Sequence, residues 1–396
     1  MLRIGLQMLF ADRAKFIGLL FGIVFTSFLV TFAASFFSGF LTHGFSLITE
    51  NAQADVWVMD PAVASVEQTI NLPGSALLRV RSVDGVAFAA PLLLGTTQAR
   101  FANGRFQSFQ VIGVDDATLQ GAPLVADRPP IALHQGSTVV VDAGGTSGKL
   151  GTPISAVDQW PHDGVHLDVP TREIASGDEL LANDQLLRVV GHSQTLPRFP
   201  VRPLLYTTIS TAERILPPER TRLTFVMARA AAGVSPEKLA ERIRQRTGLR
   251  ARSAADFKSD TVRWFLVNSE DVGDVTTMLV LAMTVGFGVT GVMLYMFTYE
   301  HQRQYAVLKA MGASSRTLLS MVLVQALACA LLGAGLGIGL CGLVGEAVMP
   351  SGFPFRMMWF TPFIGVLGVA LVSVAAAAIS ARPILKLQPA VVFAGR

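Results

Sequence analysis

Tyr299-Glu-His-Gln-Arg-Gln-Tyr-Ala-Val-Leu-Lys-Ala-Met-Gly-Ala-Ser-Ser-Arg316 separates two long hydrophobic runs, and its reading decides how the chain is built. The runs on either side, residues 275–298 and 318–344, contain no Asp, Glu, Lys or Arg. Each is longer than the ~20 residues that a helix needs to cross hydrocarbon. The basic segment is therefore a short excursion out of a membrane. Within it Tyr305, Leu308 and Met311 recur at i, i+3 and i+6, an apolar stripe on a helix whose Arg303, Gln304, Lys309 and Arg316 are polar. Gly312 then ends the helix, and Ser314 is placed to cap the next one. A solvated turn has no need of such a stripe. A polar helix held by a span on each side is suited to receive force from a soluble partner.

Composition agrees with a membrane protein. Of 396 residues, 51% are hydrophobic and 15% charged, and the mean hydropathy of +0.49 is too high for a soluble chain. The net charge of +4 is not gathered into an arm or stripe, so nucleic-acid binding has no support. A first span covers residues 16–40. No Asp, Glu, Lys or Arg occurs from Phe16 to Thr49, far beyond the ~7–15 residues of a signal-peptide core. It reads as an uncleaved anchor, preceded at 1–15 by an amphipathic helix on the inner surface. A fourth span covers 360–380.

Basic residues sit before span 1 (Arg3, Arg13, Lys15), between spans 2 and 3 (Arg303, Lys309, Arg316) and after span 4 (Arg382, Lys386, Arg396). The loop at 345–359 has one, Arg356, beside one acid, Glu346. The positive-inside rule then puts both termini, the segment 299–317 and the tail 381–396 in the cytoplasm. It leaves the loop 345–359 and the large segment 41–274 outside.

That large segment carries 22 Lys/Arg and 25 Asp/Glu, the balance of a soluble domain, and no cysteine. Cys329 and Cys341 both lie in span 3, so the exported part depends on its own core rather than on disulfides. Short β-branched or alternating stretches at Ala54–Val58, Ser108–Val114, Thr138–Val141 and Leu186–Val190 predict strands. Asn103-Gly104, Pro73-Gly74 and Asp163-Gly164 predict turns. From Ser235 the sequence predicts a helix with Ser235 as N-cap, Pro236 at its first position and Gly248 as its stop. Pro170, Pro197, Pro200 and Pro203 point to a boundary or long connections between two lobes. The expected fold is thus four transmembrane α-helices, arranged 1+3, with a large extracytoplasmic α+β domain between helices 1 and 2 and a short cytoplasmic linker helix between helices 2 and 3.

Chemical motifs are few. Gly286-Phe-Gly-Val-Thr-Gly291 spells a dinucleotide fingerprint but lies inside a span, where Gly286, Gly288 and Gly291 read as helix-packing residues. Gly333, Gly335, Gly337 and Gly339 form small-xxx-small pairs in span 3, and Gly333 and Gly337 are expected on a packing face toward another helix or a second copy. Gly145-Thr-Ser-Gly-Lys-Leu150 lacks the first glycine and the Ser/Thr of a phosphate loop. His162, His166 and Asp168 have ligand chemistry, yet Pro161 and Gly164 make a solvated loop the simpler reading, and His134 and His192 stand elsewhere. No catalytic constellation, cofactor site or metal site is expected. The spans lack the mid-depth ionisable group of proton-coupled carriers.

Gln304-Tyr-Ala-Val-Leu-Lys-Ala-Met-Gly-Ala-Ser, followed by Val324-Gln-Ala, resembles the signature of MacB/FtsX-type ABC transporter permeases and is most similar to the DevC-like branch. Leu387-Gln-Pro-Ala390 is similar to the closing stretch of that family, and the order of spans and external domain matches its layout. One departure is Gln304, where the family carries an acidic residue.

The resemblance implies a permease homodimer paired with a separate ABC ATPase that binds ATP and Mg, while this chain binds no cofactor and catalyses nothing. It implies that Tyr299–Gly312 is the coupling helix, with Arg303, Gln304, Tyr305, Leu308, Lys309, Met311 and Gly312 at the ATPase. The apolar residues would fill a groove there, and Lys309 would meet an acidic rim. Spans 1 and 2 would carry the MacB-like periplasmic domain as a stalk, and closing of the spans would be relayed outward, the mechanotransmission (type VII) mode. An inner-membrane location, a periplasmic adaptor (membrane fusion protein) and an outer-membrane duct follow by the same resemblance, for export of a glycolipid, lipoprotein, peptide or drug. The alternative it allows is an FtsX-like signalling scaffold that activates a cell-wall hydrolase, although such scaffolds usually carry a smaller external domain than residues 41–274.

Overall fold

The computed structural model describes residues 2–11, 13–125, 130–154, 169–220 and 222–382. The chain divides into two compact units, one of residues 1–39, 270–349 and 354–396, the other of residues 40–269 and 350–353. It opens with α1 (Leu2–Ala11) and α2 (Arg13–Gly44). The second of these contains the expected first span and runs unbroken for 32 residues.

The second unit is an α+β domain. It begins with α3 (Ser46–Glu50), β1 (Val56–Met59), α4 (Ala76–Arg81), β2 (Val86–Arg100), β3 (Phe106–Val114) and β4 (Thr138–Asp142). After the short β5 (Gly151–Pro153) and β6 (Thr171–Glu173) come β7 (Glu179–Ala182), β8 (Gln185–His192), β9 (Leu204–Thr208) and α5 (Ile209–Ile215). The unit closes with β10 (Phe225–Ala230), α6 (Pro236–Thr247), β11 (Arg250–Ser253) and α7 (Ala254–Asn268).

Nine strands form one sheet in the order β11-β1-β10-β2-β3-β9-β4-β8-β7. Its two ends are built differently. At the β11 end the sheet is open and covered on both faces. Val56 and Val58 of β1 pack with Val80 of α4 and Leu239 and Ile243 of α6. The alternate residues Trp57 and Met59 pack on the opposite face with Phe257 of α7. At the other end β7 returns to pair with the far end of β2, Ala99 opposite Ala182 and Arg100 opposite Leu181. Six strands, β2, β3, β9, β4, β8 and β7, thereby close into a barrel filled by Phe109, Val111, Val139, Leu187 and Leu205, with Ile215 of α5 as a plug.

The proline-rich stretch does not separate two lobes. β2, 15 residues long, belongs both to the barrel and to the open sheet, so one strand joins what the prolines were expected to divide. The stretch itself packs on the core, with the Phe199 ring 4.4 Å from that of Phe40. α6 is as the sequence predicts. The Ser235 hydroxyl accepts from the Lys238 N–H, Pro236 opens the helix, and Gly248 ends it in the left-handed region at φ 68°.

The first unit is completed by α8 (Glu270–Glu300), α9 (Gln302–Ala310), α10 (Ser315–Val348) and α11 (Thr361–Ser380). Among the described residues, four helices, α2, α8, α10 and α11, are long and apolar enough to cross a membrane. Helices close every backbone bond internally, which is what hydrocarbon demands. Their outward surfaces are apolar too, as at Leu331, Leu343 and Leu367. α2 sits against the other three at close range. A methyl group on Gly286 of α8 would lie 2.2 Å from Thr26 Cγ2, one on Gly337 of α10 would lie 2.5 Å from Ser27 Cβ, and one on Gly365 of α11 would lie 2.1 Å from Thr31 Oγ1.

Candidate coupling site

α9 is short because its sequence stops it. Gly312 lies in the left-handed region at φ 96°. Its N–H donates to the Lys309 carbonyl at 3.1 Å, and the Ala313 N–H donates to the Leu308 carbonyl at 3.0 Å. These are the paired bonds of a Schellman stop, which satisfy carbonyls the helix would otherwise leave bare. The chain restarts two residues later, where the Ser314 hydroxyl accepts from the Thr317 N–H at 3.3 Å and caps α10.

The helix has two unlike faces. Tyr305, Ala306 and Leu308 are buried, and Tyr305 is fully so. Tyr305 and Leu308 join Leu9 of α1, Phe297 of α8 and Leu318 and Met321 of α10 in the apolar core of the spanning unit. The Tyr305 hydroxyl donates to Gln325 Oε1 at 3.1 Å. Burial pushes the phenol up to about 12, with the Gln325 bond pulling weakly the other way, so it remains a neutral donor throughout the physiological range. The opposite face presents Arg303, Gln304, Val307, Ala310 and Met311 to the outside. Lys309, four residues from Tyr305, lies on the inner side near the end of the helix and is half-buried. At the other end of the helix Glu300 forms an ion pair with Lys15 of α2, and His301 Nδ1 lies 2.8 Å from the Phe297 carbonyl oxygen.

The residues expected to contact a partner are thus divided. Arg303, Gln304 and Met311 face outward, whereas Tyr305 and Leu308 face their own bundle and fill no groove but the one made by α8 and α10. Sequence reasoning missed Val307, which shares the outer face, and Gln325, the acceptor for Tyr305. Val307 was within reach, being four residues from both Arg303 and Met311 and so on one side of a helix.

The packing glycines also separate. Gly286, Gly333 and Gly337 meet α2 at Thr26, Ile23 and Ser27, Gly291 only just reaches Ala376, and Gly288, Gly335 and Gly339 face open space. His162, His166 and Asp168 lie outside the described residues, as does the tail at 387–390. The glycine-rich stretch ending at Leu150 leads into β5 rather than a helix, so no helix N-terminus is present there to hold a phosphate.

Residues 276–389 match the model for an FtsX-like permease C-terminal region, and residues 16–246, more than half the chain, match that for a MacB-like periplasmic core domain. No curated protein matches the chain significantly. Among solved structures, the periplasmic region of MacB from Actinobacillus actinomycetemcomitans aligns at 13% identity and TM-score 0.35, covering 56% of this chain and 98% of that one. The extracellular domain of the noncanonic ABC-type transporter YknZ from Gram-positive bacteria aligns at 10% identity and TM-score 0.31, covering 50% and 98%. A domain of a putative permease protein from Porphyromonas gingivalis aligns at 14% identity and TM-score 0.32, covering 51% and 89%. By the two family models, the chain belongs to the MacB/FtsX-type ABC transporter permeases.

Proposed function

We propose that this chain is the permease subunit of an ATP-driven exporter of the mechanotransmission (type VII) class, in which α9 is the cytoplasmic coupling helix. The family itself implies an ABC ATPase partner. One observation carries the reading to α9: its inner face is sealed into the bundle while its outer face, Arg303, Gln304, Val307, Ala310 and Met311, is left bare. A helix wanted only as a turn gains nothing from such an anchor. In this reading the ATPase seats on the bare face and holds the ATP and Mg, while Arg303 and Lys309 meet acidic groups. Met311 and Val307 fill an apolar recess. Both termini lie in the cytoplasm, the α+β domain lies across the inner membrane, and a second copy of the chain completes the permease. A periplasmic adaptor and an outer-membrane duct receive the substrate, a glycolipid, lipoprotein, peptide or drug.

Affinity purification of the tagged full-length chain from its native membranes tests this. An ABC ATPase and an adaptor should co-purify. Val307→Asp combined with Met311→Asp should remove the ATPase and leave the chain inserted and folded. Retention of the ATPase by that variant overturns the docking face, and a cell-wall hydrolase in place of the adaptor overturns export.

A further inference from the structure

Resting on the reading of α9 as the docking element, we propose that the Tyr305–Gln325 hydrogen bond is the joint that passes a displacement of α9 into α10. Both are then positioning residues for coupling, not contacts of the ATPase.

The backbone on either side of α9 is poorly suited to that task. α9 is joined to α8 through a turn at His301 and to α10 through the left-handed Gly312, and turns bend under load. The side-chain link is different. Tyr305 is fully buried, Gln325 is 1% exposed, and the bond between them is 3.1 Å. Gln325 stands well inside α10, which begins at Ser315, so the phenol reaches past the first turns of that helix. Both groups are buried, and the alternative to keeping the bond is a stranded phenol. Tyr305 and Leu308 share one apolar cluster with Leu318, Met321 and Val322 of α10, so rings and methyls surround the bond and keep it aligned.

Beyond the joint the load has a place to go. Farther along α10, Gly333 and Gly337 lie against Ile23 and Ser27 of α2, and the Ser27 hydroxyl donates to the Ala334 carbonyl at 3.2 Å. Surfaces packed this closely move together or jump, because they have no slack to deform into. A second link beside α9, Lys15 to Glu300, is one-third and two-fifths exposed and so is weakened by solvent and salt.

The test uses the full-length chain in proteoliposomes with the ABC ATPase that co-purifies with it. Bound ATPase and ATP turnover per bound ATPase are measured separately. Tyr305→Phe keeps the ring and removes one hydroxyl, and Gln325→Leu keeps the volume and removes the acceptor. Each should leave bound ATPase unchanged and lower permease-stimulated turnover about three- to tenfold, in keeping with the modest worth of one buried bond between membrane helices. The double variant should fall no further than either single one, and Gln325→Glu, whose carboxyl oxygen still accepts from Tyr305, should restore most of the turnover. Unchanged turnover in Tyr305→Phe overturns the joint and leaves Tyr305 a packing residue. Loss of bound ATPase in that variant also overturns it, by making Tyr305 a docking residue. If the unaltered chain retains no ABC ATPase, the docking reading fails first, and the joint falls with it.

Discussion

Glu50 and Arg198, 148 positions apart in the sequence, form a 2.5 Å ion pair inside the α+β domain. Arg198 is 3% exposed. It also donates to the Tyr206 hydroxyl at 3.1 Å, and the Leu196 N–H donates to Glu50 Oε1 at 2.6 Å. The pair thus pins the proline-rich stretch before β9 to α3. Removing one partner of a buried pair strands the other, which costs about 3–5 kcal/mol, whereas replacing both by apolar groups is often close to neutral. Arg198→Met should therefore destabilise the domain by about 3 kcal/mol, and adding Glu50→Leu should recover part of the loss. Urea unfolding followed by tryptophan fluorescence, to which the buried Trp57 contributes, reads both. A double variant less stable than Arg198→Met alone would show that the charge pair is itself the stabilising element.

Asp260 and Glu50 should respond to pH in opposite senses. Burial pushes the Asp260 carboxyl up, but Arg252 and Arg250, which donate to it at 2.7, 2.9 and 2.8 Å, outweigh burial and hold it below the usual carboxylate range. Its contribution to stability is complete above the ordinary carboxylate value and is lost as pH falls through the lowered one. For Glu50 burial outweighs Arg198 and the value is raised. Its contribution is complete below the ordinary value and is lost as pH rises through the raised one. Asp260→Asn should accordingly weaken protection of the β11–α7 amides at neutral pH, with the gap to the unaltered chain closing on strong acidification. Glu50→Gln should gain on the unaltered chain as pH rises. Hydrogen exchange across the acidic range measures both, and parallel trends in the two variants would refute the assignment.

The glycines of the spans supply their own control. A methyl on Gly337 would meet Val24 O at 2.7 Å and Ser27 Cβ at 2.5 Å, whereas nothing lies within 4 Å of one on Gly335 or Gly339. Inserting a methyl into a filled interface costs about 1–3 kcal/mol. Gly337→Ala and Gly286→Ala should lower the melting temperature of the purified chain, and Gly335→Ala and Gly339→Ala should not. Equal effects at all four sites would mean that the change acts through helix propensity rather than through contact with α2.

What the sequence discloses here is whatever is local. Charge-free runs announce α2, α8, α10 and α11, and the Ser235-Pro236 start and Gly248 stop announce α6, because each signal lies within a few residues of the element it specifies. Pairings that depend on which strands become neighbours leave no such trace. Nothing near Glu50 names Arg198, and nothing near Ala182 names Ala99. The stripe on α9 was half legible for a geometric reason. Tyr305 and Leu308 are three residues apart and lie on one face. Met311, six residues from Tyr305, has rotated by about a third of a turn off that face and sits beyond the last helical residue, Ala310. The inward pair anchors the helix, and the methionine faces outward.

Gly312 decides whether that outward face is held in one orientation. Nothing lies within 4 Å of where its Cβ would be, so space does not require glycine there. The backbone does, because φ is 96°. A β-branched residue at positive φ costs about 1–3 kcal/mol, enough to open the Schellman stop and let α9 run on or fray. Asparagine visits positive φ far more readily. Gly312→Val should thus reduce permease-stimulated ATP turnover about tenfold, the rate equivalent of about 1.4 kcal/mol, whereas Gly312→Asn should retain most of it. Limited proteolysis at Arg316 should be faster in the valine variant, since loss of the stop frees the adjoining turn. Comparable turnover in the two variants would mean that the orientation of α9 is set by the Tyr305 anchor alone and that the turn is a passive connection.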